Sequence, residues 1–182
     1  MRTVPTWIQT HSGRKFFPLK PDHEEIVIED IAHSLSQQCR FTGHCSWPYS
    51  VGQHSVLVSR QVNKMGGNIE DQLWGLLHDA SEAYAVDVPT PVKRQIVGYA
   101  EIESRIMDAV AEKFSLKGAM PEVVKVADDI MLATEARDLM GLKDLSEWGI
   151  QVYPDQDRIK KMSASAAKRE FLSLFHHLVQ AR

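Results

Sequence analysis

The segment from Leu76 to Glu82 places three polar side chains within about one turn of an otherwise apolar stretch. His78, Asp79 and Glu82 each cost free energy to bury unless the group is hydrogen-bonded, paired or bound to a metal. If the segment is helical, His78 and Glu82 share one face as an i, i+4 pair. A divalent metal ion would make this arrangement favourable, so the segment predicts a metal site that takes further ligands from elsewhere in the chain.

Other candidate ligands lie on two further predicted helices: His54 on one, and Asp128 or Asp129 on the other. Two imidazoles and two carboxylates form a ligand set suited to Zn, Mn, Fe or Co, and leave positions open for water and a phosphate oxygen. A bound divalent metal lowers the pKa of water and stabilises charge on a phosphoryl group. Glu82 could then handle the proton of the attacking water. This chemistry is metal-assisted phosphate hydrolysis.

Apolar residues at helical spacing predict the elements that position these groups. The predicted helices cover roughly residues 28–38, a segment from Ser50 to Gly66-Gly67, a segment after Asn68, a segment around 102–114, a segment from Pro121, and a last one near the carboxyl terminus. Ser50 and Gln53 have the capping-box spacing, and Pro89 and Pro91 predict a break. No period-2 run of strand length appears, and residues 1–25 are predicted to be irregular. The sequence therefore predicts a single all-α domain.

Composition excludes several classes of protein. The 182 residues suit one domain, and the net charge of -3 lacks the concentrated positive stripe of a duplex nucleic-acid binder. No apolar run approaches the roughly 20 residues that span a bilayer, and the amino terminus lacks the apolar block of a signal peptide. Two cysteines do not make a disulfide framework. We therefore expect a soluble cytoplasmic protein that binds neither a nucleic acid polymer nor a membrane.

The pattern His54…His78-Asp79…Asp128 resembles the metal signature of the HD-domain phosphohydrolases. The likeness is closest to the bacterial 5'-deoxynucleotidase branch and its phage relatives, some of which are dATP triphosphohydrolases. Gly52 stands where that family usually has Ala. The matching segments are residues 50–55, 78–82, 87–93 and 126–128, which together span most of the chain from about 26 to 140.

The resemblance implies a fold and a metal site. It implies one HD-type helical bundle over residues 1–182, with about six or seven helices. Its parts are an irregular segment at 1–25, a metal-binding core at 26–140 and a carboxyl-terminal helix at 160–182. The implied metal ligands are His54, His78, Asp79 and Asp128, with Zn, Co, Mn or Mg as the divalent ion. Glu82 is then the catalytic residue, which positions a reacting group or transfers a proton at the reaction centre.

The resemblance also implies four substrate-binding residues. Arg40 matches an arginine that faces the phosphates, and Lys93 matches a phosphate-binding lysine of the triphosphate-acting relatives. Phe41 falls where the family has a large aromatic beside the sugar, which would act as a steric filter against a ribose 2'-hydroxyl. Asp87 matches a residue near the deoxyribose 3'-hydroxyl.

The implied function is metal-dependent hydrolysis of a deoxynucleoside triphosphate, with dATP the first choice, to a deoxynucleoside and triphosphate. Two alternatives stay open: a 5'-deoxynucleotidase that releases orthophosphate from monophosphates, and a sensor module that binds nucleotides without turnover. The resemblance further implies a homo-oligomer, in the host cytoplasm if the protein is phage-encoded. The segment Glu135-Ala136-Arg137-Asp138 is predicted to be a charged helix face with local ion pairs and not a second site.

Overall fold

Helices make up most of residues 5–182, the part of the chain that the structure, a computed structural model, describes. The α-helices in this part are α1 (Ile28–Gln37), α2 (Val51–Lys64), α3 (Ile69–Leu77), α4 (Glu82–Ala85), α5 (Thr90–Lys93), α6 (Tyr99–Lys113), α7 (Glu122–Asp138) and α8 (Ala164–Ala181). The helices α4 and α5 have four residues each, and the other six correspond to the six predicted from apolar spacing. The all-α prediction is confirmed.

A small β-hairpin precedes the helices, so the prediction that residues 1–25 are irregular was wrong for part of that segment. Strands β1 (Ile8–Gln9) and β2 (Lys15–Phe16) pair antiparallel, with Ile8 opposite Phe16. The Phe16 side chain is fully buried and stacks on Tyr84, with ring centroids 3.9 Å apart. Strands of two residues are too short to show an alternating pattern, which explains why no strand was predicted here.

The helix α2 is the centre of the bundle, because it packs against α1, α3, α7 and α8. Two glycines permit this close packing. A Cβ atom at Gly52 would lie 3.0 Å from the Ser36 hydroxyl oxygen and 3.1 Å from the Ser36 backbone nitrogen on α1. A Cβ atom at Gly75 on α3 would lie 3.1 Å from the Cα atom of Ser59. Gly52 thus lets the backbones of α1 and α2 approach each other closely.

The point where α2 begins determines the position of His54 along the helix. The Ser50 hydroxyl accepts the Gln53 backbone N–H at 3.1 Å, as the capping-box spacing predicts. The Gln53 side chain does not complete the box: its amide donates to the backbone carbonyl of Lys160 at 2.8 Å. This contact anchors the segment that leads into α8, and His54 lies in the first turn of α2.

The chain does not continue as one helix from α3 through Glu82. Ala80 N–H donates to the carbonyl of Leu77 at 2.9 Å, and Glu82 N–H to that of Asp79 at 3.0 Å, which is i+3 spacing. His78 and Glu82 are therefore not an i, i+4 pair on one continuous helix, as they would be if the segment were helical throughout. One of the last carbonyls of α3, that of Gly75, accepts the His78 side chain at 2.8 Å and so is satisfied without a further helical turn.

Prolines shape the chain after α4, as predicted. The break lies between Val86 and Pro89, and α5 then begins with Pro91 in its first turn, where the missing N–H costs nothing. None of the helices in residues 5–182 combines the length and the apolar character needed to cross a membrane.

Candidate metal centre

Three side chains from three helical segments meet at one point between α2, α3 and α7. The Nε2 atoms of His54 and His78 lie 3.3 Å apart. Asp128 Oδ1 lies 3.1 Å from His54 Nε2 and 3.9 Å from His78 Nε2. One ligand atom from each residue lies within 4.8 Å of the other two, so the group could hold a metal ion. The neighbouring Asp129 is exposed.

Hydrogen bonds on the far side of both imidazole rings fix where their protons lie. His78 Nδ1 is 2.8 Å from the carbonyl oxygen of Gly75, which can only accept. His54 Nδ1 is 2.6 Å from Glu135, a carboxylate that also accepts the Tyr49 hydroxyl at 2.8 Å. Each Nδ1 is therefore a donor, and each neutral ring directs an Nε2 lone pair into the shared volume. Two facing lone pairs beside a carboxylate repel unless a cation lies between them, so this donor set fits a divalent metal.

Asp79 contacts the same centre and a neighbouring cation. Its Oδ2 atom lies 3.3 Å from His78 Nε2, 3.6 Å from His54 Nε2 and 3.4 Å from Arg40 Nη1. Burial alone would raise the Asp79 pKa, but the positive charges of His78, His54 and Arg40 hold that pKa well below its usual range. Asp79 therefore offers an ionised oxygen to the centre, shared with the Arg40 guanidinium.

The charges around the two imidazoles favour a cation at this point even without metal. Burial opposes a proton on His78, yet Asp79 and Asp128 raise its pKa to about 9. Burial and Arg40 oppose a proton on His54, but Glu135 and the hydrogen bond to Asp128 raise its pKa above the usual value. A proton thus binds more strongly here than in water, and a metal ion would have to displace it.

Glu82 is a buried acid beside this cluster. Its side chain is 6% exposed, and within the described part of the chain its Oε2 atom has no hydrogen-bond partner. Burial, followed by the negative charges of Asp79 and Asp87, raises its pKa to about 9. The Gln38 amide donates to the Glu82 carbonyl at 2.9 Å and accepts the Asp87 N–H at 3.1 Å, which holds both residues in place. A buried acid of this kind can donate or accept a proton in a reaction.

A strained turn after α1 carries Arg40 and Phe41. Arg40 N–H donates to the Tyr49 carbonyl at 2.9 Å, which closes the loop. Phe41 and Thr42 both have φ of 53°, a left-handed conformation that costs about 1–2 kcal/mol for a residue other than glycine. The Phe41 ring lies 5.4 Å from the Arg40 guanidinium carbon and 5.7 Å from the ring of Trp148. Strain of this kind accumulates at functional sites.

Asp87 and Lys93 lie near Glu82 but outside the group of imidazoles. Asp87 follows Val86, a β-branched residue with φ of 68°. Burial raises the Asp87 pKa, and the charge of Asp79 adds to this effect. Lys93 Nζ already has a partner, Glu103 Oε1 at 2.8 Å, although its positive charge also acts on Glu82 and Asp87.

The sequence interpretation missed Glu135. The segment Glu135–Asp138 was predicted to be a charged helix face, but Glu135 is fully buried and accepts hydrogen bonds from His54, Tyr49 and Arg40. Arg137 and Asp138 do form the predicted local ion pair, at 2.6 Å. The available signal was spacing, because residue 135 lies seven positions after the candidate ligand Asp128 and hence on the same face of the helix.

Sequence comparison identifies relatives of this chain among known proteins. No family model matches the chain. It is 47% identical over 145 residues to the uncharacterized protein YfdR of Escherichia coli (strain K12), which covers 80% of this chain and 78% of the relative. It is 35% identical over 158 residues to the uncharacterized protein RCAP_rcc00048 of Rhodobacter capsulatus, covering 82% and 81%. The chain therefore belongs to the same family as YfdR and RCAP_rcc00048.

Proposed function

We propose that the protein is a metal-dependent hydrolase of deoxynucleotides, and that it cleaves a deoxynucleoside triphosphate, dATP first, into a deoxynucleoside and triphosphate. One observation carries the proposal: two imidazole lone pairs and the Asp128 carboxylate face a common point, with a buried acid and an arginine beside it. Structural metal sites are closed by protein ligands, whereas hydrolytic sites keep positions open and a proton-handling group nearby.

The metal and Glu82 divide the chemistry between them. A divalent ion held by His54, His78, Asp128 and Asp79 would lower the pKa of water and stabilise charge on the phosphoryl group. Attack of water on the α-phosphorus breaks its bond to the 5'-oxygen, and that oxygen leaves with a proton. With a pKa of about 9, Glu82 carries a proton at neutral pH and can deliver it to the leaving oxygen; the proton that the attacking water loses then restores the carboxyl group.

Arg40 is placed to bind phosphate. Its contacts to Asp79 and Glu135 are 3.4 and 3.2 Å, longer than close charge-assisted bonds, so the guanidinium can share its donors with a phosphate oxygen. The chain has a net charge of -3, and local cations are needed to hold an anionic substrate. In the proposal Phe41 packs on the sugar and rejects a 2'-hydroxyl, and Asp87 binds the 3'-hydroxyl.

A second candidate is a 5'-deoxynucleotidase that releases orthophosphate from monophosphates. The ion pair of Lys93 with Glu103 favours it, because a lysine already neutralised at 2.8 Å offers less charge to the outer phosphates of a triphosphate. If Lys93 changes partner when a triphosphate binds, the first candidate stands.

A panel of deoxynucleotides and ribonucleotides, each with Co, Mn, Mg or Zn, tests the proposal by identification of the products. Triphosphate from dATP supports the leading function. Orthophosphate from dAMP, with dATP inert, supports the second. Binding without product under every metal contradicts both and indicates a nucleotide sensor.

A pair of variants tests the role of Lys93. Lys93→Met should raise KM for dATP more than KM for dAMP if the lysine binds the outer phosphates. Arg94→Met is the matched control, since Arg94 is the next cation along the chain and is exposed. Equal effects of the two substitutions would remove Lys93 from the substrate site.

A further inference from the structure

Glu135 is the most deeply buried carboxylate at the candidate centre, and all its hydrogen-bonding positions are used. Its Oε1 atom accepts His54 Nδ1–H at 2.6 Å and the Tyr49 hydroxyl at 2.8 Å. Its Oε2 atom accepts Arg40 Nε–H at 3.3 Å and Nη2–H at 3.2 Å. A carboxylate has about four acceptor sites, so Glu135 is saturated. Its relative exposure is 0%.

Because Glu135 is saturated as an acceptor, the neutral His54 ring has only one possible tautomer. Tyr49 and Arg40 can only donate to a carboxylate held in this way, so Glu135 stays an acceptor and the proton of a neutral His54 ring lies on Nδ1. The Nε2 atom then carries the lone pair, and it points at His78 and Asp128. Ligating histidines are generally held by such an outer acceptor, which fixes the ring and raises its basicity.

The same carboxylate also fixes Arg40. The guanidinium contacts Glu135 on one side and Asp79 on the other. A residue of the metal cluster and the proposed phosphate-binding arginine therefore share one anchor. Without that anchor, the half-buried guanidinium of Arg40 beside His54 would repel any cation bound there.

We propose that Glu135 is a positioning residue, which holds the Nε2 atom of His54 ready to bind metal and keeps Arg40 in place beside it. The inference rests on the metal centre of the proposed function, but not on the identity of the substrate. It predicts that loss of Glu135 weakens metal binding although Glu135 itself is no ligand.

Cobalt titration of the 182-residue chain tests this, because the visible absorption of bound Co²⁺ reports both its affinity and its coordination. Glu135→Ala should weaken Co²⁺ binding by about 10- to 100-fold. Glu135→Gln keeps the shape and one acceptor oxygen but loses the charge, so its loss should be smaller, about three- to tenfold. The titrations are run well below the unfolding temperature of each variant.

Asp138→Asn is the matched control. Asp138 lies on the same helix, its side chain is 3% exposed, and it pairs with arginine side chains. This variant should lose stability while its Co²⁺ affinity stays within about twofold of the wild type, because Asp138 contacts neither imidazole. An equal loss of affinity in Asp138→Asn and Glu135→Gln would reduce the role of Glu135 to general stability and overturn the proposal.

Ring NMR of the zinc-loaded protein gives an independent readout. Long-range ¹H–¹⁵N correlations should show His54 protonated on Nδ1 and bound through Nε2. The opposite assignment, or wild-type affinity in Glu135→Gln, would overturn the inference. A wild-type protein that binds no metal would sink this inference and the proposed function together. Normal Co²⁺ results without any nucleotide hydrolysis would refute the function alone.

Discussion

Replacement of Glu82 by Gln should stabilise the metal-free protein while it abolishes most turnover. The Glu82 pKa rises from 4.5 to about 9 on folding, because the carboxyl group is buried and Oε2 has no partner among the described residues. Between these two pKa values only the unfolded state gives up the proton. The free energy of unfolding of the wild type therefore falls as the pH rises, and a glutamine, which cannot ionise, avoids this loss.

The size of the effect follows from the pKa. At pH 4.5 the folded carboxyl group is protonated and the unfolded one is half ionised, so wild type and Glu82→Gln should differ by only about 0.4 kcal/mol. Above that, the advantage of the variant should grow by about 1.4 kcal/mol per pH unit. At pH 7 it should reach about 3 kcal/mol, large for a substitution in a domain whose total stability is of order 10 kcal/mol. The trend should stop near pH 9, the folded-state pKa of Glu82.

Urea unfolding in the presence of a chelator, at pH values from about 5 to 8, measures this difference. Glu101→Gln on α6 is the control, because Glu101 is exposed and its substitution makes the same chemical change away from the buried centre. The reasoning about Glu82 is refuted if Glu82→Gln is less stable than the wild type at pH 7, or if the difference is flat across the range.

The same substitution tests the proposed mechanism. Loss of a positioned proton donor should lower kcat by about 10²- to 10⁴-fold, and Co²⁺ affinity should change little because Glu82 is outside the three-residue metal group. If Glu82→Gln is more stable than the wild type but fully active, the raised pKa of Glu82 is supported and its role in catalysis is refuted.

Three further predictions concern the centre and its supporting packing. His54→Ala should abolish metal binding, and full occupancy by elemental analysis would contradict the ligand assignment. Apparent Co²⁺ affinity should rise by up to about tenfold per pH unit from pH 7 and level off near pH 9, because the metal must displace the proton that Asp79 holds on His78. Titrations at pH 7, 8 and 9 measure this, and an affinity that does not change with pH would exclude the competition. Gly52→Ala should destabilise the fold by about 1–2 kcal/mol in urea unfolding, since the added Cβ meets Ser36 at 3.0–3.1 Å; a stabilised variant would show that helix propensity outweighs the contact.

Apolar periodicity predicted the long helices correctly because each long helix buries one face against its neighbours in the bundle. A buried face requires apolar residues at helical spacing, and this spacing is visible in the sequence. It missed the hairpin at residues 8–16, whose strands are too short to have a period. It also missed the end of α3 at Leu77, because the residues that follow are compatible with a helix. There the decisive interaction is the contact of the His78 side chain with the Gly75 carbonyl, which no local pattern reveals.

At the centre, residue types and spacing were enough to propose His54, His78 and either Asp128 or Asp129 as partners; the family resemblance selected Asp128, and the structure groups it with the two histidines. They were not enough for Glu135. A glutamate within a run of charged residues is usually solvated, and only the tertiary position of Arg40, nearly a hundred residues earlier in the chain, explains why this one is buried.

The charges of the centre add up to a net negative charge, which attracts cations. Asp79, Asp128 and Glu135 all have lowered pKa values and are ionised, whereas Glu82 keeps its proton at neutral pH. Arg40 supplies one positive charge against three negative ones. The remaining charge of about -2 favours cations that neutralise it, most strongly where His54 and Glu135 are fully buried and less at Asp128, whose side chain is 42% exposed. Protons on the two imidazoles can neutralise it, which explains the raised pKa values of both rings, and one divalent ion can do the same. Metal binding at neutral pH should therefore release about one proton, the one held on His78, in keeping with a rise in affinity of up to about tenfold per pH unit.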